Sequence, residues 1–244
     1  VTATDAQGCT GTAFQVLNQP PPVTFDIDST ATSCFGFEDG TATILNMVGA
    51  GMTFDIQWDA NANNQSSTIA TDLASGTYNV SVTDEDGCIA TGSVFIPQPT
   101  DVVVELSTID NICFGEFAGQ VFTEVNGGVP GYTFDWSTGS KDNRIDGLEA
   151  GIYTVTVTDA QGCIEEISAE ILQPDILLAD IATVDVSCFG GRDGRFIVSP
   201  NGGTPPYQYS LDNKDYNGAS TIVGLTQGEY NVFIRDDNGC IFFE

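Results

Sequence analysis

The sequence predicts an all-β protein, a tandem array of small antiparallel Greek-key β-sandwiches with a period of about 77 residues. Three observations carry that expectation. Two landmarks recur in register along the 244 residues, the apolar runs are short and bounded by turn formers, and no long window shows helical periodicity.

The first landmark is Asp5-Ala-Gln-Gly8-Cys9, which returns as Asp84-Glu-Asp-Gly87-Cys88, Asp159-Ala-Gln-Gly162-Cys163 and Asp236-Asp-Asn-Gly239-Cys240, at intervals of 79, 75 and 77 residues. The second is Cys34-Phe-Gly36, repeated as Cys113-Phe-Gly115 and Cys188-Phe-Gly190. Between repeats lie Leu17-Asn-Gln-Pro20, Ile96-Pro-Gln-Pro99 and Leu172-Gln-Pro174, where proline stops a strand and stiffens the connection. The expected domains are the end of a preceding repeat (1–22), repeats at 23–98 and 99–174, and a third at 175–244 that stops within its last strand. Both ends fall at nearly the same phase of the repeat, and Val1 stands first. A segment of a longer array or filament is the corresponding expectation.

In the first complete repeat, strands are expected at Val23–Thr30, Thr41–Met47, Thr53–Trp58, Ser67–Ala70, Thr77–Thr83 and Ala90–Ile96. The fifth, Tyr78-Asn-Val80-Ser-Val82, alternates between core and solvent, as do its counterparts Tyr153-Thr-Val155-Thr-Val157 and Tyr230-Asn-Val232-Phe-Ile234. Each follows Leu-x-x-Gly-x, at Leu73, Leu148 and Leu225. That phrase suits a tyrosine corner, whose hydroxyl bonds back to upstream backbone, and it points to immunoglobulin-like topology. Trp58, Trp136 and Tyr209 occupy the third strand as core aromatics. The inter-sheet immunoglobulin disulfide is absent, since Val80, Val155 and Val232 hold its position.

Composition narrows the function. There are 34 Asp plus Glu against 6 Lys plus Arg, a net charge of -28, and no histidine. Residues 1–140 contain no basic residue, so the footprint needed to displace phosphate counterions is missing, and anionic membranes repel the chain. Without histidine there is no imidazole-based nucleophile system or metal site. The Gly127-Gly128 and Gly202-Gly203 turns precede strands, so no helix N-terminus is available for phosphate. Acids in every loop are solvated surface rather than a glycosidase pair. No catalytic residue is expected. With 41% hydrophobic residues the acidity does not mean disorder, and no apolar run is long enough to insert in a membrane.

Seven regularly placed cysteines without Cys-x-x-Cys spacing argue for disulfides and an oxidising compartment. Two regular schemes fit. Pairing within repeats joins Cys34 to Cys88, Cys113 to Cys163 and Cys188 to Cys240; pairing across linkers joins Cys9 to Cys34, Cys88 to Cys113 and Cys163 to Cys188. If strand directions simply alternate, the Cys-Phe-Gly loop and the Gly-Cys turn share one end of the sandwich. That favours pairing within repeats. It would also gather Glu38 and Asp39 beside Asp84, Glu85 and Asp86, and Asp193 beside Asp236 and Asp237, oxygen-only clusters suited to Ca²⁺. No cofactor is otherwise required. The Asp-x-x-Gly-Cys motif also reads simply as a hairpin whose glycine supplies positive φ.

Together, Cys-Phe-Gly-x-x-Asp-Gly, Gly-Gly-x-Pro-x-Tyr, the aromatic third strand, Leu-x-x-Gly-x-Tyr-x-Val and Asp-x-x-Gly-Cys resemble the SprB-type repeat of giant Bacteroidota surface proteins, related to PKD-like and immunoglobulin-like modules. The pattern is fullest over residues 188–240. It departs at Val48-Gly-Ala-Gly51-Met and at Ala118, where the family has Asp. The resemblance implies cell-surface export through type IX secretion and a part in gliding or adhesion. Two kinds of partner are expected: other copies of the chain in a filament or bundle, or a cell-surface or polysaccharide ligand gripped by Phe35, Phe114 and Phe189. A third alternative is a set of accessory domains of a secreted hydrolase.

Overall fold

The computed structural model describes all 244 residues. They form two compact units, Val1–Asp101 and Val102–Glu244.

The first unit opens with an exposed hairpin, β1 (Thr2–Thr4) and β2 (Thr10–Thr12). A six-stranded sandwich follows: β3 (Thr24–Thr30), β4 (Gly40–Val48), β5 (Phe54–Trp58), β6 (Ile69–Leu73), β7 (Gly76–Asp84) and β8 (Ile89–Ile96). One sheet has the order β3-β4-β6 and the other β5-β7-β8, every neighbour antiparallel. The second unit repeats this plan twice. Strands β9 (Val103–Ile109), β10 (Gly119–Asn126) and β12 (Arg144–Leu148) face β11 (Thr133–Trp136), β13 (Gly151–Thr158) and β14 (Ile164–Ile171). Strands β15 (Leu178–Val184), β16 (Gly194–Asn201) and β18 (Thr221–Leu225) face β17 (Gln208–Ser210), β19 (Phe233–Arg235) and β20 (Ile241–Phe243). This is a tandem run of immunoglobulin-like sandwiches, as the alternating strands and corner tyrosines predict.

The cores follow the period of two. Tyr78, Val80 and Val82 point inward from β7 against Ile44, Ile56, Leu73, Ile96 and the fully buried Trp58. The third-strand aromatics are core residues, with Trp136 at 2% and Tyr209 at 4% exposure. Each indole N–H is satisfied, that of Trp58 by Ser67 O at 3.0 Å and that of Trp136 by Asp142 O at 2.8 Å. All three corners form: the hydroxyls of Tyr78, Tyr153 and Tyr230 donate to Ala74 O, Glu149 O and Thr226 O at 3.0, 3.1 and 3.1 Å. Burial raises the Tyr78 phenol above its usual pKa.

One assumption fails. Strand directions do not alternate through β5 and β6. The register pairs Phe54 with Asp84 and Trp58 with Val80, so β5 spans one half of the sandwich; Ile69 pairs with Thr43 and Leu73 with Gly40, so β6 spans the other half. The link between them, with a short 3-10 turn at Ala60–Ala62 capped by Asp59, transfers the chain between sheets at mid-height without reversing it. Both strands therefore run the same way. The Cys-Phe-Gly loop, between β3 and β4, and the Gly-Cys turn, between β7 and β8, lie at opposite ends. The nine residues of β7 separate them by about 27 Å.

Candidate functional site: the two ends of the repeat

At the Gly-Cys end, the inward alternation of β7 does not stop at Val82 but continues to Asp84, which is 5% exposed. Its carboxylate accepts Asp86 N–H at 3.1 Å and Cys88 N–H at 2.9 Å on one oxygen and Ala50 N–H at 2.9 Å on the other. Asp159 is bound in the same way by Gln161, Cys163 and Val129, and Asp236 by Cys240 and Thr204. The next residue answers in the other direction, since Glu85, Ala160 and Asp237 N–H donate to Ala50 O, Val129 O and Thr204 O. Each aspartate thus clamps its hairpin turn to the loop between the second and third strands. The N–H group of Ala50, ahead of the others, holds the Asp84 carboxyl below its usual pKa, and Val129 N–H does the same for Asp159. Turn glycines at φ near 80–90°, Gly87 at 82° and Gly162 at 89°, complete the hairpins.

The departures from the repeat pattern have local compensations. Tyr132 and Tyr207 hydroxyls donate to Gly127 O and Gly202 O and so brace their loops. Phe54 opens β5 without a hydroxyl. There Glu85 accepts from Met52 N–H, Thr53 N–H and the Thr53 hydroxyl instead, the last bond at 2.7 Å, and its carboxyl is lowered chiefly by that hydroxyl.

At the Cys-Phe-Gly end the motif aspartate braces its own loop. Asp39 accepts Ser33 N–H at 2.8 Å and Asp193 accepts Ser187 N–H at 3.1 Å; the side chains of Ser33 and Ser187 first, and these N–H groups second, hold both carboxyls below their usual pKa. Where Ala118 replaces it, the buried Asn111 takes over, accepting Ala118 N–H and donating to Leu148 O. The linker glutamines dock here, with Gln98 and Gln173 accepting Gly36 N–H and Gly115 N–H. That contact fixes the Cys-Phe-Gly loop at the C-terminal end of its sandwich.

The expected pairing within repeats is therefore overturned. Cys113 is bonded to Cys240, 127 residues away, with Cα atoms 5.7 Å apart. The loop of the 99–174 sandwich thus meets the turn of the sandwich that follows it. The reason is the direction of β11 and β12, which repeat β5 and β6: partners about 27 Å apart within one sandwich cannot bond, whereas within the second unit the Cys-Phe-Gly loop of one sandwich meets the Gly-Cys turn of the other. The joint is closed further by Asn238, whose amide donates to Ile112 O at 2.8 Å. Cys34 and Cys163 are also disulfide-bonded. Cys88 and Cys188, expected to be bonded, are free and exposed, as is Cys9.

The same reversal undoes the calcium clusters. Glu38 and Asp39 lie at the end opposite Asp84, Glu85 and Asp86, and Asp193 lies opposite Asp236 and Asp237; no group of three or more acidic or cysteine side chains gathers as a cation site. The carboxylates of Asp39, Asp84, Glu85, Asp193 and Asp236 are directed at backbone N–H groups instead. Phe35 and Phe114 are half-exposed and Phe189 is fully exposed. The missed residues are Asp84, Asp159 and Asp236 as clamps. Their signal was the core-facing phase of an aspartate two places after Val82, Val157 and Ile234.

Residues 106–141 and 181–215 match the family model described as the SprB repeat. Two stretches of the chain are thus similar to the SprB repeat. The two matched stretches run from the first strand through the Cys-Phe-Gly loop to beyond the third-strand aromatic in each sandwich of the second unit. No curated protein sequence matches the chain. Among solved structures, a three-Ig structure of titin domains bearing an E-to-A change aligns at 15% identity over 91% of this chain and 96% of that one, with a TM-score of 0.40. The N-terminal eight Ig domains of Down Syndrome Cell Adhesion Molecule align at 13% identity over 100% of this chain and 38% of that one, with a TM-score of 0.43. The immunoglobulin-like assignment rests on the strand order. No helix is long and apolar enough to cross a membrane.

Proposed function

We propose that the chain is a non-enzymatic, extracellular segment of a bacterial surface adhesin or filament, a mechanical stalk that carries adhesive contacts for attachment, gliding or capture. Its repeats are read at 23–98, 99–174 and 175–244. The observation that carries the proposal is the Cys113–Cys240 bond, which fastens one SprB sandwich to the next and places the joint itself under covalent control. Tension applied along the chain meets that bond before the strands between the two cysteines can extend. An oxidising environment follows from the same bond, and the charge of -28 keeps neighbouring arrays apart until salt screens it.

Single-molecule pulling tests this. With the bond intact, the segment between Cys113 and Cys240 stays hidden; on reduction, roughly 420–460 Å of contour should be released for those 127 residues. Equal contour lengths in oxidising and reducing buffer would sink the stalk reading. A second reading, polysaccharide binding, draws on the exposed rings of Phe35, Phe114 and Phe189. Saturable glycan binding by a monomer at every ionic strength tried, lost on changing those rings to Ala, would favour it.

A further inference from the structure

Beside the edge strand β12 of the 99–174 sandwich lies an open cleft of about 830 Å³. The connection leading into β12 explains it. In the first sandwich ten residues, 59–68, join β5 to β6, and Ala62 in their 3-10 turn is fully buried in the core with Ile44 and Trp58. Only seven, 137–143, join β11 to β12, and none of them is buried. They turn back at once, with Gly139 at φ 85° and its N–H donating to Trp136 O at 2.8 Å. Nothing takes the place of Ala62, and the cleft opens among these residues. Position 123 differs too. Ile44, Thr123 and Val198 are equivalent, since their N–H groups donate to Thr68 O, Asn143 O and Ser220 O, each one residue ahead of the fourth strand of its sandwich. Thr123 alone of the three carries a hydroxyl, whose buried oxygen borders the cleft and has no hydrogen-bond partner. We infer that this cleft is a binding site for a neutral saccharide, whose hydroxyls are received by Asp142, Asn143, Arg144 and Asp146.

The lining chemistry selects the ligand. Arg144 lies over the Phe122 ring, 5.8 Å from its centroid, and donates to Asp146 at 3.2 Å. A planar donor is thus held in place with most of its N–H groups unspent. Asp142 and Asp146 supply acceptors, and the exposed Asn143 amide supplies both. Donors and acceptors set side by side along 142–146 match vicinal hydroxyls, each of which gives one hydrogen bond and takes another. Other ligand classes fit less well. An anion meets two carboxylates for one guanidinium, in a chain of charge -28. A cation finds the Phe122 ring already paired with Arg144. An apolar molecule has little to bury against, because Ile145 and Leu148 turn to the core at 5% and 6% exposure. The volume lies within the roughly 300–1,000 Å³ usual for small-ligand sites.

The site is separate from Phe35, Phe114 and Phe189 and does not depend on the stalk reading. Its test is titration of the whole isotope-labelled chain with di- to tetrasaccharides of β-linked glucose, galactose and mannose at millimolar concentration, followed by amide chemical shifts. Expected is a saturable response to at least one of them, confined to residues 122–123 and 138–148 and the same at low and high salt. Arg144→Ile, which repeats the residue type of Ile69 at the same place in the first sandwich, should weaken it at least about tenfold through loss of a charged donor. Thr123→Val should weaken it severalfold while Tm holds or rises, because Val198 occupies that place in the third sandwich. Replacing Phe35, Phe114 and Phe189 with Ala should leave it unaltered. No saturable response to any of these sugars, a response in other amides, or unchanged affinity in either variant would overturn the inference. So would a preference for galacturonate oligomers that vanishes at high salt, the mark of an anion site. The pulling result at Cys113–Cys240 does not involve the cleft, so failure here and failure of the stalk reading are separable.

Discussion

Replacing Gly119 with alanine probes a close backbone approach that recurs in all three sandwiches. Gly119 ends the Cys-Phe-Gly-x-x-x-Gly loop and opens β10, and the register shifts between it and Val121 where β10 meets β12. The shift is accommodated by Gly147 at φ 69°. A Cβ on Gly119 would stand 2.8 Å from Leu148 O and 2.7 Å from the Ile171 Cγ2 methyl, inside the distance real Cβ atoms keep. The same carbonyl approach recurs at Gly40 with Leu73 O at 2.8 Å and at Gly194 with Leu225 O at 3.0 Å. The methyl of Ile171, a fully buried side chain, can turn aside only at the expense of its packing, and the carbonyl belongs to the ladder. Overpacking of this kind costs about 1–3 kcal/mol. For a sandwich of this size that is a fall in Tm of roughly 5–20 °C. The assay is thermal unfolding followed by tryptophan fluorescence in a Trp58→Phe background, where Trp136 alone reports the affected sandwich. A Tm within a degree of the parent would refute the steric argument.

Other perturbations separate the remaining parts of the account. Tyr78→Phe removes the corner hydroxyl from Ala74 O and should cost about 1 kcal/mol in the first sandwich, read by Trp58 fluorescence in urea with Trp136→Phe as background. Acid titration should show two regimes. Between neutrality and about pH 4, protonation of exposed carboxylates relieves the repulsion of a -28 chain, and stability should hold or rise. The clamp carboxylates of Asp84 and Asp159 have folded pKa values below their unfolded ones, so their stabilisation is present above the unfolded pKa and is lost as pH falls through the lowered folded pKa. Asp212, brought down to about 2 first by Asp215 N–H, then by the Ser210 hydroxyl and Lys214 N–H, loses its part between the ordinary 3.8 and about 2. Circular dichroism unfolding curves that weakened steadily from pH 7 to 4 would contradict this. Calcium at millimolar concentration and fixed ionic strength should leave Tm unchanged, because the acids are not gathered; a saturable rise would restore a cation site.

The repeat, the sandwich class and the corner were legible because each depends on short-range pattern: Tyr78-x-Val80-x-Val82 specifies its own face, and Leu73-x-x-Gly76-x-Tyr78 its own turn. The ends of the sandwich were not legible in the same way. Everything there turned on whether ten residues between Trp58 and Ile69 reverse the chain, and that depends on β5 and β6 each covering half a sandwich. Ser67–Ala70 was expected where Ile69–Leu73 forms, a small displacement that hides the half-length register. The cysteines inherited the error, and so did the acids: Asp39 and Asp84 read as neighbours because the same inverted geometry placed them together. Asp84 itself was legible in phase but not in partner, since Ala50, 34 residues away, is known only from the folded loop.

The most direct test of the central claim, that the two sandwiches of the second unit are fastened to one another rather than closed on themselves, is disulfide mapping at Cys113 after proteolysis without reductant. Joining of the Cys113 peptide to the Cys240 peptide is the predicted result. Joining to Cys163, which would require the two ends of one sandwich to meet, would contradict the strand directions on which the account is built.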